Sequence, residues 1–288
     1  MATTYNNLYL DMRQRFREAG VFDPSRVARE LICSASGKTN EEFLRDSRLY
    51  VLPETEREAN RLAERYIAGE PVAYLIGEWE FYGIPLDISK AVLIPRPDTE
   101  ILAARAIKAA QGYTEPRVLD LCAGSGCIGL ALAKHMPTAR VLLGELDEEA
   151  LKICRQNIRR NGLGDSVSAV RVDAREKPPR QLGEFDIIVS NPPYIPTADI
   201  ETLDASVRDN EPRLALDGGA DGLDFYRAIC EKWHDALRDY GKLLFEVGIG
   251  QADAVLRLML SSGFGDVQII RDYNDIPRVV CGTRWDTI

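Results

Sequence analysis

Through the first seventy-odd residues apolar positions recur every three or four places, the spacing of short amphipathic helices. DPSRVARELI offers Asp23 as an N-cap with Pro24 in the first turn, and TNEE pairs Thr39 with Glu42 as a capping box. PETEREANRLAERYIAG opens on Pro53 and closes at Gly69. Short helices on short loops predict a small helical bundle over residues 1–78. From 79 to 95, WEFYGIPLDISKAVLIP alternates apolar and aromatic residues with polar ones around two turn signals, which predicts a β-hairpin linker. From 96 to 288 the apolar runs RVLDLC, RVLLGE, SVSAVRV, FDIIVS and KLLFEVG alternate with the helical stretches CIGLALAKHM, DEEALKICRQNIRRNG and GLDFYRAICEKWHDALRD. A helix from about Gln251 and two closing strands near 267 and 279 complete the pattern. Apolar strands separated by helices predict an α/β domain with a mostly parallel sheet covered on both faces. Ligands of such sheets bind at the carboxyl ends of the strands, near the point where strand order reverses.

Composition narrows the function. The 288 residues are 45% hydrophobic and 8% aromatic, ordinary values for a globular chain. No apolar run approaches the roughly 18 residues of a membrane span, and MATTYNNLYLDMRQR lacks the basic start and apolar stretch of a signal peptide. A soluble, cytoplasmic protein with no membrane partner is expected. The net charge is −9, and both the first 78 residues and the remainder are acidic in balance. That distribution disfavours a direct nucleic-acid substrate held through its phosphates. Six scattered cysteines without CxxC spacing read as free buried thiols. His135 and His234 lie on predicted helices, which leaves little from which to build a metal site or a Ser-His triad.

The first strand of the α/β region runs into DLCAGSGCIG, in which Gly124, Gly126 and Gly129 satisfy GxGxxG, and Glu145 ends the second strand. The same combination marks dinucleotide-binding proteins, so a nicotinamide-dependent enzyme or a dinucleotide-binding module is one reading. Asp120, four residues before Gly124, points elsewhere. S-adenosylmethionine has no phosphate to cradle; it offers an amino group, a carboxylate and two ribose hydroxyls. An acid at the strand end can hold the cation, glycines admit the ligand to the backbone, and the following helix N-terminus favours the carboxylate. Glu145 would accept the ribose hydroxyls, each bond worth roughly 1.5–3 kcal/mol. Asp173, closing the third strand, is placed to meet an adenine amino group. The plainer readings are a carboxylate tying the loop for Asp120, an exposed strand end for Glu145 and a turn former for Asp173. Cys122 and Cys127 flank the loop without a base to activate them, and read as small residues in tight packing.

FDIIV runs into SNPPYIPT at the same edge of the sheet. Pro192 and Pro193 fix their torsions and lack N–H groups, so the turn is stiff and its carbonyls are free to accept. Asn191 adds an amide oxygen, and Tyr194 a wall. An amide oxygen and a backbone carbonyl together make a two-point acceptor for an NH2 group on a planar carbon, as in adenine, cytosine, glutamine or asparagine. The plainer reading is a rigid strand exit without chemistry.

PVAYLIGEWEFYG (71–83), VLIPRPDTE (92–100), VLDLCAGSGCIGLALA (118–133), FDIIVSNPPYIP (185–196), EPRLALDGGADGL (211–223), LLFEVGIGQ (243–251) and DYNDIPRVV (272–280) together resemble the HemK/PrmC family of protein-(glutamine-N5) methyltransferases. The resemblance spans nearly the whole chain. It implies an N-terminal helical substrate-recognition domain, a connecting hairpin and a class I S-adenosylmethionine-dependent methyltransferase domain with a Rossmann-like, mostly parallel seven-stranded sheet. It implies methylation of the glutamine of the Gly-Gly-Gln motif in class I peptide chain release factors, leaving S-adenosylhomocysteine. Carried over by motif, Cys122, Ala123, Gly124, Ser125 and Gly126 would meet the methionine part of the cofactor. Glu145 would take the ribose, and Asp173 with Ala174 the adenine. Asn191, Pro192, Pro193 and Tyr194 would hold the substrate glutamine, with Asn191 also bordering the cofactor. The chain departs from the family in CAGSG, where many members begin with glycine and have threonine in place of alanine, and in Glu145, where aspartate is commoner. In RPDTE, Asp98 or Thr99 reads as a helix cap with Glu100 in the first turn, while the resemblance sets Arg96 and Asp98 beside the active site. Two other substrates fit the same NPPY chemistry: a ribosomal-protein glutamine, and the N6 amine of adenine in nucleic acid.

Overall fold

A computed structural model of the chain describes residues 3–285. Its contacts divide it into two compact units, Met1–Glu78 and Trp79–Ile288.

The first unit contains α1 (Tyr5–Glu18), α2 (Pro24–Ser36), α3 (Asn40–Arg45), α4 (Pro53–Ile67) and α5 (Val72–Ile76). Local chemistry sets its boundaries. The Asp23 carboxylate accepts from the Arg26 N–H with Pro24 in the first turn. Thr39 and Glu42 exchange the two hydrogen bonds of a capping box, 3.2 and 2.9 Å. The amphipathic faces meet in a core of Met12, Phe16, Leu31, Ile32 and Leu62, and Phe16 meets Tyr66 edge-on.

In the second unit β1 (Glu78–Phe81) and β2 (Ile84–Asp87) form the hairpin. Tyr82 and Gly83 make its two-residue turn, both left-handed, the geometry that matches strand twist. Pairing ends at Asp87, and residues 88–95 continue without regular structure. Then follow α6 (Thr99–Ala110), β3 (Arg117–Leu121), α7 (Cys127–His135), β4 (Arg140–Glu145), α8 (Glu148–Arg160), β5 (Val167–Arg171), β6 (Phe185–Ser190), α9 (Ala205–Arg208), α10 (Asp224–Lys232), β7 (Leu237–Glu246), α11 (Ala252–Ser261), β8 (Phe264–Arg271) and β9 (Pro277–Arg284). The sheet has seven strands in the order β5-β4-β3-β6-β7-β9-β8. All neighbours are parallel except β9, which runs antiparallel to both β7 and β8. The expected class is the observed one. Strand order reverses between β3 and β6, and every residue of β6 is buried.

The stretch GLDFYRAICEKWHDALRD is not one helix. α10 stops at Lys232, a 3-10 turn covers His234–Ala236, and β7 begins at Leu237. Ile229, Trp233, Ala236 and Leu237 are all buried at helical spacing, so the apolar period runs on through a change of structure and conceals it.

α7 lies directly on β4. A methyl group added at Gly129 would sit inside contact distance of Leu143 and 3.0 Å from Val141. Gly129→Ala is therefore expected to destabilise the protein by roughly 1–3 kcal/mol through overpacking. Chemical denaturation checks this, and an unchanged midpoint would refute the close approach.

Candidate active site

A cleft of about 330 Å³ opens at the carboxyl ends of β3, β4 and β6, where strand order reverses. Its floor is the glycine loop. Cys122, Gly124 and Gly126 all adopt left-handed torsions, so the chain makes a tight reversal after β3. Cys122 does so with a side chain, which costs on the order of 1 kcal/mol. Only Gly124 has open space where a side chain would project, whereas a methyl at Gly126 would meet Leu143 at 2.8 Å. The loop is tied from behind by α8: the Cys154 thiol donates to the Gly124 carbonyl at 3.1 Å and the Asn157 amide to the Ser125 carbonyl at 3.0 Å. The same buried Asn157 exchanges hydrogen bonds with the backbone of Asp87, so the end of the hairpin and the glycine loop share one anchor.

Asp120 is fully buried and does not line the cleft. Its Oδ2 accepts the Gly129 N–H at 2.8 Å, while Oδ1 has no partner among the described residues. The expectation that it meets the cofactor's cation is corrected: the carboxyl holds the first turn of α7. Burial pushes its pKa up to about 8 against the opposing Gly129 hydrogen bond.

Glu145 faces the cleft, with its carboxylate fixed by three backbone donors. Oε2 accepts from Gly124 at 2.8 Å, and Oε1 from Leu146 at 2.7 Å and Asp147 at 3.0 Å. Its longer side chain thus reaches back to the glycine loop and remains a preorganised acceptor. Asp173 also lines the cleft and closes a turn by accepting the Arg175 N–H at 2.8 Å. Partial burial raises its pKa, but the hydrogen bonds from the Arg175 side chain and backbone outweigh that and lower it overall. The next residue, Ala174, is held by the buried Trp233 indole, which donates to its carbonyl at 2.9 Å. Leu146, Val172, Ala174 and Phe225 give this end of the cleft apolar walls.

The turn after β6 forms the opposite side. Asn191 and Pro193 line the cleft, while Pro192 is buried outside the lining and Tyr194 packs into the core beneath. Tyr194 is thus a support under the turn rather than the expected wall of the cleft. The turn is fastened on two flanks. The Gln251 amide donates to the Tyr194 carbonyl at 2.9 Å, and the Ile195 N–H donates to the Leu216 carbonyl at 2.9 Å. On a third flank the Asn191 amide nitrogen faces the Thr99 hydroxyl at 3.4 Å. No described donor reaches the Asn191 Oδ1 or the Pro192 carbonyl.

Of the residues singled out from sequence, the cleft gathers Cys122, Ala123, Gly124, Ser125, Glu145, Asp173, Ala174, Asn191 and Pro193; Asp120, Gly126, Pro192 and Tyr194 stand behind it. RPDTE behaves differently from a simple helix start. Neither Asp98 nor Thr99 makes a side-chain cap to α6. Asp98 pairs instead with Arg278 at 2.9 Å, and Arg278 with Asp272 at 3.0 Å. Arg96 pairs with the buried Glu211, whose Oε2 has no partner among the described residues. Burial raises the Glu211 pKa, and Arg96 opposes the shift. Pro95, Pro212 and Leu214, beside this ion pair, line the cleft. Sequence reasoning passed over Glu211, Phe225 and Glu246 and read Thr99 only as a helix cap; the lone acid ending the apolar run LLFE was the visible signal for Glu246.

A seven-stranded sheet of this order, with its cleft at a glycine loop and a proline-stiffened exit from β6, defines a class I S-adenosylmethionine-dependent methyltransferase. Residues 98–220 match the methyltransferase small domain, and residues 7–77 match the PrmC N-terminal domain. The chain is 42% identical over 230 residues to the release factor glutamine methyltransferase of Geobacter sulfurreducens, covering 80% of this chain and 79% of that one. It is 36% identical over 286 residues to the corresponding protein of Caulobacter vibrioides, covering 99% and 98%. The chain belongs to the release factor glutamine methyltransferase family. Among solved structures it is similar to the hMettl16 catalytic domain in complex with a MAT2A 3'UTR hairpin, with a TM-score of 0.57 at 17% identity over 72% of this chain and 78% of that one. A methyltransferase from Pyrococcus furiosus gives 0.52 at 18% identity over 79% and 100%. These two share the fold.

A carboxyl that holds its proton more tightly folded than unfolded stabilises the fold at low pH, and that contribution is lost as pH rises through the folded value. For Asp120 the window lies between about 4 and about 8. Thermal unfolding of the cofactor-free protein is expected to weaken across this window, and Asp120→Asn to flatten the slope. An identical slope in the variant would contradict the assignment.

Proposed function

We propose that this protein transfers a methyl group from S-adenosylmethionine to the side-chain amide nitrogen of the glutamine in the Gly-Gly-Gln motif of class I peptide chain release factors. The observation that carries this is the pair of oxygens at Asn191 Oδ1 and the Pro192 carbonyl, without described donors, beside a cleft whose other residues suit the cofactor.

The cleft's chemistry fits S-adenosylmethionine. Gly124 leaves open space above its backbone, Glu145 is a fixed anionic acceptor, and Asp173 stands beside an apolar slot. The loop Cys122–Gly126 would hold the methionine part, Glu145 the ribose hydroxyls, and Asp173, Ala174 and Phe225 the adenine. Bound there, the cofactor supplies an electrophilic methyl on a sulfonium.

A carboxamide nitrogen is a weak nucleophile because its lone pair is delocalised into the carbonyl. Asn191 Oδ1 and the Pro192 carbonyl accept its two N–H bonds and fix the plane of the NH2 group. The prolines hold both oxygens still. Such positioning supplies up to roughly 7–11 kcal/mol of a barrier. The two acceptors also stabilise positive charge that develops on nitrogen as it alkylates, so no strong base is required before transfer. The proton then leaves the nitrogen to solvent.

The helical unit is read as the part that grips the protein substrate. Leu44, Leu49, Tyr50 and Leu52 are exposed there within nine residues, more apolar surface than an isolated bundle needs. Among the described residues no helix is long and apolar enough to cross a membrane.

Mass spectrometry after incubation with S-adenosylmethionine should find one methyl on the Gly-Gly-Gln glutamine; methylation of a ribosomal protein or of nucleic acid instead would redirect the assignment. Calorimetry should find binding of S-adenosylmethionine and none of NAD. Asn191→Ala is expected to leave cofactor binding within about twofold and to cut transfer at least about tenfold, or about 1.4 kcal/mol. Unchanged turnover would remove Asn191 from the mechanism.

A further inference from the structure

Glu246 ends β7 next to the catalytic turn. β6 and β7 are parallel with Ser190 beside Phe245, so the residues that follow, Asn191 and Glu246, leave the sheet side by side. Glu246 is 4% exposed and Thr99 2%. The Asn191 amide nitrogen faces the Thr99 hydroxyl at 3.4 Å; both groups favour the charged form of the neighbouring Glu246 carboxyl, whose Oε2 has no partner among the described residues.

A carboxamide looks nearly the same from either end, yet its ends do opposite things. With Oδ1 toward the cleft, Asn191 accepts from a substrate NH2; turned over, it presents an NH2 that repels one. Thr99 alone cannot choose, because a hydroxyl both donates and accepts. An ionised carboxylate only accepts. Beside the amide, it favours groups that donate, the Thr99 hydroxyl and the NH2 end of Asn191, and so leaves Oδ1 to face the cleft.

We infer that Glu246 is a positioning residue for methyl transfer, holding the Asn191 amide, directly and through Thr99, in the one orientation that offers an oxygen to the substrate. The inference rests on the reading of Asn191 as the substrate's acceptor.

The charge state of Glu246 then matters. Burial pushes its pKa up to about 7. Asp98, just before α6, adds to the rise, and Thr99, Arg278 on β9 and Asn191 oppose it. Tyr194 in the turn, Tyr226 on α10 and Cys127 on α7 also face it, and burial raises all three so that they stay neutral. Protonation turns one oxygen of Glu246 into a donor that can bind Asn191 Oδ1 and reverse the amide. Turnover should therefore fall as pH drops through about 7.

Glu246→Gln keeps the shape but carries both a donor and an acceptor, so it cannot choose. With a release factor as substrate, the variant should lose about fivefold or more in kcat at pH 8 and lose the decline near pH 7. Its affinity for S-adenosylmethionine, measured by calorimetry, should stay within about twofold of wild type. Because Glu246 acts through Asn191, adding the change to Asn191→Ala should alter kcat by less than about twofold. Thr99→Val, which removes the intervening hydroxyl, should reproduce the loss and serves if Glu246→Gln fails to fold. Wild-type turnover and pH profile in Glu246→Gln, wild-type turnover in Thr99→Val, or a loss that persists in full on the Asn191→Ala background would each overturn the inference. Full turnover in Asn191→Ala alone would instead overturn the reading beneath it.

Discussion

The site depends on the rigidity of one turn, Asn191–Tyr194, at the end of the most buried strand. Two prolines remove its torsional freedom, but they also remove N–H groups that could tie it to the sheet. It must be fastened by other means, and the structure does so from three sides: Thr99 at the start of α6, Gln251 beyond β7, and the Leu216 carbonyl of the long loop after β6. Each fastener lies far away in sequence. Tyr194 pins the turn from below by packing into the core.

That arrangement gives a physical meaning to the separated stretches by which the chain resembles its family. They are partners of one another. RPDTE meets EPRLAL through Arg96 and Glu211, and meets DYNDIPR through Asp98 and Arg278. LLFEVGIGQ meets NPPY through Gln251 and Tyr194. The cost is a set of carboxyls out of water behind the cleft lining: Asp120, Glu211 and Glu246 are all buried, and burial raises the pKa of each. A fold seeking stability alone would replace such groups with apolar ones. Retaining three around one cleft ties their charge to the geometry of the backbone they hold, most directly at the first turn of α7, where Asp120 takes the Gly129 N–H.

Much of this was legible in the sequence because it is local. Capping boxes, N-terminal prolines and the alternation of strand and helix act within a few residues, and they led to α2, α3, α4 and the parallel sheet. The glycine loop and NPPY were legible as the ends of apolar strands. What escaped depends on distant partners. Asp120 stands in a motif that reads as ligand-facing, yet only the packing of α7 on β4 shows that its oxygen is taken by Gly129. Thr99 reads as a helix cap until Asn191 and Glu246, about a hundred residues or more further on, come beside it. β7 begins inside a helical apolar period because the same core collects Ile229, Trp233 and Leu237 from both structures.

The central claim is geometric: two fixed oxygens hold a planar NH2 group for displacement on the methyl. A structure of the protein with S-adenosylhomocysteine and a Gly-Gly-Gln peptide tests it most directly. The account predicts the glutamine nitrogen within hydrogen-bonding distance, roughly 2.7–3.2 Å, of both Asn191 Oδ1 and the Pro192 carbonyl, with the nitrogen facing the cofactor's sulfur. A glutamine bound elsewhere in the cleft, or an Asn191 whose NH2 end faces the peptide, would contradict it.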